Sequence, residues 1–191
     1  MSVIKKCVLF TLMILCLPAV TPVFAVDSQE NSTSITLLGT GGGPGGSRAR
    51  AGIATLLTVN GQDYLIDAGD GVSRQLAKVG VSEKGISTIF FTHLHDDHTV
   101  GLPAIMSFFY TLRGKHMSIY GPPRTERLIA GALDFLSDNA EIRIKEQHLP
   151  TLSSIFSAKD IGVGEVYSDK NIKVSTVENT HFHLGNDSLA F

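Results

Sequence analysis

Six consecutive residues, His93-Leu94-His95-Asp96-Asp97-His98, carry three imidazoles and two carboxylates. An apolar run, Ile89-Phe90-Phe91, leads into them and reads as a buried strand delivering a loop. On an extended backbone residues two apart point the same way, so His93 and His95 can pinch one cation between their rings. After a turn, Asp97 and His98 can face a second cation beside the first. Imidazole with carboxylate is a donor set that Zn²⁺ accepts. A solvated polar loop is the plain alternative, and it explains neither the density of these groups nor their spacing. Packing does no better, because burying so many unpaired polar groups is costly.

The elements around this run must hold it in place. Residues 35–38 read as a first buried strand, followed by a glycine-rich stretch over 39–46. Residues 53–59 and 64–66 read as paired strands joined through Asn60-Gly61, where both turn residues take positive φ. Val72, Leu76 and Val79 at helical spacing predict a helix that Gly80 ends. Residues 86–91 predict a buried strand, 102–112 an apolar helix with Pro103 in its first turn, and 117–120 another strand. Gly121-Pro122-Pro123 turns the chain into a helix over 124–136, with Leu128, Ala132, Leu133 and Leu136 on one face. Ile142-Arg143-Ile144 alternates as a half-exposed strand does, and 163–167 with 172–177 predict a hairpin turned at 168–171. This order argues an α/β fold with helices packed outside the sheets.

The ends bound the rest. Residues 1–25 read as a signal peptide, with Lys5 and Lys6, an apolar run over 7–17 too short to span a bilayer, and a cleavage site at Val23-Phe24-Ala25. The chain is therefore expected to be exported, periplasmic or secreted, with no membrane attachment after cleavage. Cleavage removes both cysteines, Cys7 and Cys16, so no disulfide and no thiolate ligand remains. It also removes Lys5 and Lys6, which takes the formal charge from −2 to −4. An acidic chain lacks the basic footprint of phosphate-backbone binding, so a small-molecule ester, not nucleic acid, is the expected substrate. Residues 26–34 read as a leader and 35–191 as one domain long enough for a sizeable core. No heptad run or fixed-period repeat marks an oligomerisation element. Asp187-Ser188-Leu189-Ala190-Phe191 turns apolar like the start of a strand, so the domain is expected to be incomplete at its C-terminus.

His93-Leu94-His95-Asp96-Asp97-His98 resembles the HxHxDH signature of the metallo-β-lactamase superfamily. The runs Leu37-Leu38-Gly39-Thr40-Gly41, Leu65-Ile66-Asp67-Ala68-Gly69-Asp70-Gly71, Gly101-Leu102-Pro103 and Ile119-Tyr120-Gly121-Pro122-Pro123 look most like its ribonuclease Z and arylsulfatase-like branch. The resemblance implies an αββα sandwich and a zinc-dependent hydrolase that cleaves phosphodiester or sulfate ester bonds. It carries His93 and His95 over as ligands of a first zinc, and Asp97 with His98 as the start of a second site. It places the third ligand of the first zinc within Val177-Glu178-Asn179-Thr180-His181, at His181, with His183 as the alternative. Asp67 is implied to support the ligand loop, which fits the need of a metal-bound imidazole for a partner on its other nitrogen. A turn-forming aspartate is the plain alternative. In the implied mechanism two zinc ions activate water and neutralise charge growing on the ester oxygens, while Asp97 orients the nucleophile and passes a proton to the leaving group. The family's bridging aspartate and last histidine would fall beyond Phe191. The chain as written is therefore expected to hold one three-histidine site and half of another, and to be weakly active or inactive by itself.

Two other classes compete. Gly41-Gly42-Gly43-Pro44-Gly45-Gly46 formally satisfies the GxGxxG pattern of dinucleotide-binding oxidoreductases, with Asp67 at a suitable distance for a ribose contact. Those glycines should open a helix, and a strand pattern with a hairpin follows instead. Gly46-Ser47-Arg48 likewise excludes a P-loop. The glycine stretch is expected to form a side-chain-free rim near the metal site, with Arg48 and Arg50 as candidates to meet an anionic substrate. The second competitor is a non-catalytic zinc-binding protein, which the short ligand set keeps open.

Overall fold

The computed structural model describes residues 32–43, 49–181 and 188–191. The signal-peptide reading of 1–25, most of the leader, Arg48 and His183 lie outside these residues.

A six-stranded sheet runs in the order β1 (Thr33–Gly39), β2 (Ala54–Val59), β3 (Gln62–Ile66), β4 (Thr88–Phe90), β5 (Met117–Gly121), β6 (Phe156–Asp160). The first three strands form an antiparallel meander, turned between β2 and β3 by Asn60 and Gly61 at φ 51° and 75°. From β3 to β6 every pairing is parallel. Parallel neighbours need long crossovers, and helices supply them. These are α1 (Val72–Lys78), α2 (Asp96–Thr99) with α3 (Leu102–Thr111), and α4 (Thr125–Gln147) with α5 (Leu152–Ile155). The alternation of strand side chains divides β4 cleanly. Ile89 and the following Phe91 join Leu76, Ile105, Met106 and Ile129 in the core under the helices. Phe90 points to the opposite face, with Val59 and Tyr64.

That opposite face is covered by a three-stranded antiparallel sheet of β7 (Gly164–Ser168), β8 (Lys173–Glu178) and β9 (Leu189–Ala190). Tyr167, Ile172 and Val174 pack onto Phe90, Tyr64 and Tyr120. The β7–β8 turn is latched by one carboxylate: the Tyr64 and Tyr167 hydroxyls donate to Asp169 at 2.6 and 2.9 Å. Burial and Asp169 push Tyr64 up to about 12, so this donor keeps its proton. The layers are helix, sheet, sheet; the fourth, helical layer of an αββα sandwich has no counterpart among the described residues. No helix among them is long and apolar enough to cross a membrane.

Three expectations change. The strand expected to be buried over 35–38 is an edge strand: Leu38 enters the core, but Ile35 and Leu37 stand 69% and 67% exposed on its other face. It also starts at Thr33, inside the segment read as leader. Ile142-Arg143-Ile144 is not a strand, because α4 runs on to Gln147. Buried Ile129, Ala132, Leu136 and Ala140 continue one stripe at steps of three and four, and Lys145 pairs with Glu141 one turn back. Three alternating residues are too few to separate a period of 2 from one of 3.6.

Ile105→Ala, in the core under α3, is expected to cost about 2–5 kcal/mol in urea denaturation. Ile142→Ala, on the solvent face of α4, is expected to stay within about 0.5 kcal/mol of wild type. A half-buried strand at 142–144 would predict a clear loss for both.

Candidate metal centre

The C-terminal ends of β3 and β4 lie side by side, and in parallel sheets this is the edge where loops can build a site. Asp67 leaves β3 in the left-handed region at φ 61°, a conformation that aspartate tolerates better than most residues. Its side chain turns inward and is 2% exposed. There Oδ1 accepts the Thr92 amide at 2.8 Å, Oδ2 faces His98 Nδ1 at 2.8 Å, and the Thr92 hydroxyl lies 2.9–3.1 Å from both oxygens. Asp67 thus braces the ligand run, and neither a ribose contact nor a simple turn describes it.

His93, buried, and His95 bring Nε2 and Nδ1 to 3.0 Å of each other. His181, which follows β8, joins them, and one nitrogen from each ring falls within 4.8 Å of the others. Two nitrogens sharing a tetrahedral zinc at about 2.0–2.1 Å would sit roughly 3.3 Å apart, close to the His93–His95 separation, and His181 completes a three-imidazole donor set of the kind that holds such an ion. Burial, reinforced by the neighbouring His98 and His95 rings, pushes His93 down to about 4. Neutral imidazole is the form that ligates. The second sheet holds His181 in place: Leu189 N donates to Thr92 O at 2.8 Å and Asn179 N to Ser188 O at 3.0 Å.

Asp97 and His98 stand beside this cluster, not in it. They lie in α2, a single helical turn where the sequence suggested a loop, closed by Thr99 Oγ1 donating to His95 O at 2.9 Å. His98 Nε2 is 3.8 Å from Asp97 Oδ2, and the His93 and His98 ring centres are 4.0 Å apart. Burial works to lower His98, but the Asp67 hydrogen bond and charge, with Asp97 adding, outweigh it and raise the group. Gly43 N donates to Asp97 Oδ2 at 2.8 Å, and Gly42 and Gly43, from the described part of the glycine stretch, line the cavity with the histidines. The cavity, of about 920 Å³, is also lined by Thr92, Asn179, Ser188 and Ala190.

A family model described as anti-Pycsar protein Apyc1 matches residues 33–191. The chain belongs to this family. It is a member of the metallo-β-lactamase superfamily, in the ribonuclease Z branch. It is similar to ribonuclease Z of Mycobacterium avium, with 40% identity over 114 residues, 58% of this chain and 40% of that protein. It is similar to ribonuclease Z of Methanocaldococcus jannaschii, with 30% identity over 149 residues, 77% of this chain and 44% of that protein. The alignments thus span less than half the length of these curated relatives. Among solved structures, human tRNase Z, short form, superposes with a TM-score of 0.59 at 25% identity, covering 83% of this chain and 62% of that one. YhfI of Bacillus subtilis, a metallo-β-lactamase fold protein, superposes at 0.58 with 14% identity, covering 84% and 56%. These relatives overturn the expectation of a small-molecule ester with nucleic acid disfavoured, since the curated ones are ribonucleases and the human one is a tRNase. Net charge is a whole-chain average, whereas a phosphodiester is met locally, by whatever charge the cavity concentrates.

The spacing of the histidines exposed the donors but not their scaffold. Nothing in the local sequence marks Thr92 or Gly52, and Gly69 and Gly101 enter only as members of the motif runs. In the fold these glycines let three backbone segments touch: Ile53 N donates to Asp97 O, Ala68 N to His98 O, and Gly101 N to Ala68 O. A Cβ on Gly69 would lie 2.1 Å from Asp97 O and 2.6 Å from Ile53 N, both backbone atoms that cannot swing aside. Gly69→Ala is therefore expected to lower stability by about 1–3 kcal/mol and to weaken metal retention with it. Gly131→Ala, inside α4 with nothing within 4 Å of the new methyl, is expected to gain about 0.5–1 kcal/mol. Thermal unfolding and metal titration of the two variants test the contrast.

Proposed function

We propose that the protein is a zinc-dependent hydrolase of phosphodiester bonds of the kind found in RNA. The observation that carries this reading is the convergence of His93, His95 and His181, from two different sheets, on one point of a cavity. The ribonuclease Z relatives support a phosphodiester over a sulfate ester.

His93, His95 and His181 hold the cation, while His98 and Asp97 offer a ring nitrogen and a carboxylate toward a second one. A bound divalent cation supplies Lewis acidity toward a phosphoryl oxygen and lowers the pKa of water. Asp97 is the proton carrier: its Oδ2, steadied by the Gly43 amide, takes a proton from the attacking water and returns it to the departing alkoxide. The water oxygen bonds to phosphorus as the phosphorus–oxygen bond to the leaving group breaks. Asp67 keeps His98 turned so that Nδ1 faces inward and Nε2 faces the cavity. Export remains part of the proposal on the pattern of residues 1–25, and N-terminal sequencing of the exported protein is expected to begin near Val26.

Metal analysis of the purified chain tests the cation, and hydrolysis of an RNA oligonucleotide and a chromogenic phosphodiester by the full-length protein, followed with and without a chelator, tests the reaction. Zinc is expected to co-purify, and cleavage is expected to stop on chelation and return on resupply. His181→Ala is expected to lose zinc by more than the roughly 10–100-fold typical of removing an outer partner of a ligand. Protein that retains no divalent cation at saturating supply would refute the proposal.

A further inference from the structure

The Thr92 side chain sits where three titratable side chains meet, and its hydrogen-bonding capacity is limited. A hydroxyl has one hydrogen to give and two lone pairs to receive. Thr92 Oγ1 lies 2.9 Å from Asp67 Oδ2, 3.1 Å from Asp67 Oδ1 and 3.0 Å from His93 Nδ1, with His98 Nδ1 further off at 3.4 Å. A carboxylate can only accept, so the single hydroxyl hydrogen belongs to Asp67. Toward His93 the same oxygen can then only accept. Nδ1 of His93 must therefore carry that ring's proton, and Nε2 is left with its lone pair. Nε2 is the atom that approaches His95 Nδ1 at 3.0 Å, at the centre of the three-histidine cluster.

We propose that Thr92 is a positioning residue for His93, relaying the Asp67 carboxylate to Nδ1 so that Nε2 is presented bare to the cation. One buried carboxylate then sets two imidazoles: His98 through a direct contact at 2.8 Å, and His93 through the threonine hydroxyl. The arrangement explains why a threonine follows the buried strand β4 and directly precedes His93. Valine would fill the same volume and suit the same backbone, but it would leave His93 Nδ1 and one face of Asp67 without their shared partner. The Thr92 amide, which also donates to Asp67 at 2.8 Å, would survive that change, so loop position and ring tautomer can be separated experimentally. The consequence for cation affinity rests on the metal reading above; the tautomer assignment does not.

The test is long-range ¹H–¹⁵N correlation spectroscopy of the histidine rings in the full chain, metal-free and zinc-loaded, for wild type, Thr92→Val and Thr92→Ser. Wild type and Thr92→Ser are expected to hold the His93 proton on Nδ1. Thr92→Val is expected to let His93 populate both tautomers while His98, bonded directly to Asp67, keeps its proton on Nδ1. Zinc affinity is expected to fall about 10–100-fold in Thr92→Val and to recover in Thr92→Ser. A wild-type His93 protonated on Nε2, or a Thr92→Val spectrum unchanged at His93, would overturn the relay. So would equal loss of order at His93 and His98 in Thr92→Val, which would mark the hydroxyl as a general prop for the loop. If zinc bound none of the three proteins, the metal reading would fall, and the metal-free spectra would still decide the relay.

Discussion

A carboxylate buried between two strand ends organises this protein. Asp67 is sealed from solvent and would be expensive to bury unpaired, so its surroundings must supply hydrogen bonds. They come from the Thr92 amide, the Thr92 hydroxyl and His98 Nδ1, all on the segment that follows β4. The constraint works in both directions. The ligand segment satisfies Asp67, and Asp67 fixes where that segment can lie. Its own backbone is tied across to β4 through Asp67 N to Phe90 O at 2.8 Å, so the brace belongs to the sheet itself and not to a loose loop.

Around that brace the chain makes room by removing side chains. Gly69 N donates to Ile53 O, Ile53 N to Asp97 O and Ala68 N to His98 O, and a Cβ on Gly69 would collide with the Asp97 carbonyl and the Ile53 amide. The segment carrying Asp97 and His98 thus rests on a platform of backbone hydrogen bonds. The second sheet completes the site from the other side. Its hairpin is latched at one end by Tyr64, Tyr167 and Asp169, and at the other Leu189 bonds to Thr92. His181 is delivered from that far end.

The electrostatics follow from this packing. Burial and crowding by other rings hold His93 neutral, while the direct partner Asp67 lifts His98, so two histidines five residues apart acquire different characters. The net charge that argued against a nucleic-acid substrate is insensitive to such local arrangements. It sums carboxylates scattered over the whole surface and carries no information about the charge at any one cavity.

Local order was legible in the sequence because its signals are local. Asn60-Gly61 dictates its turn through two positive φ angles, and the apolar run Ile89-Phe90-Phe91 declares burial on both faces of the sheet. The histidines of the 93–98 run were equally plain, since their spacing is read from adjacent residues, and His93 and His95 do meet in the fold. What depended on distant partners was not legible. Ile35 and Leu37 look like core residues until β1 proves to be an edge, and Ile142 looks like a strand residue until Leu136 and Ala140 extend the helical stripe. Residue identity and spacing determined which groups can bind a cation. Only the tertiary structure decided how each ring is turned and which glycine and threonine support it, because those properties arise from hydrogen bonds between segments tens of residues apart.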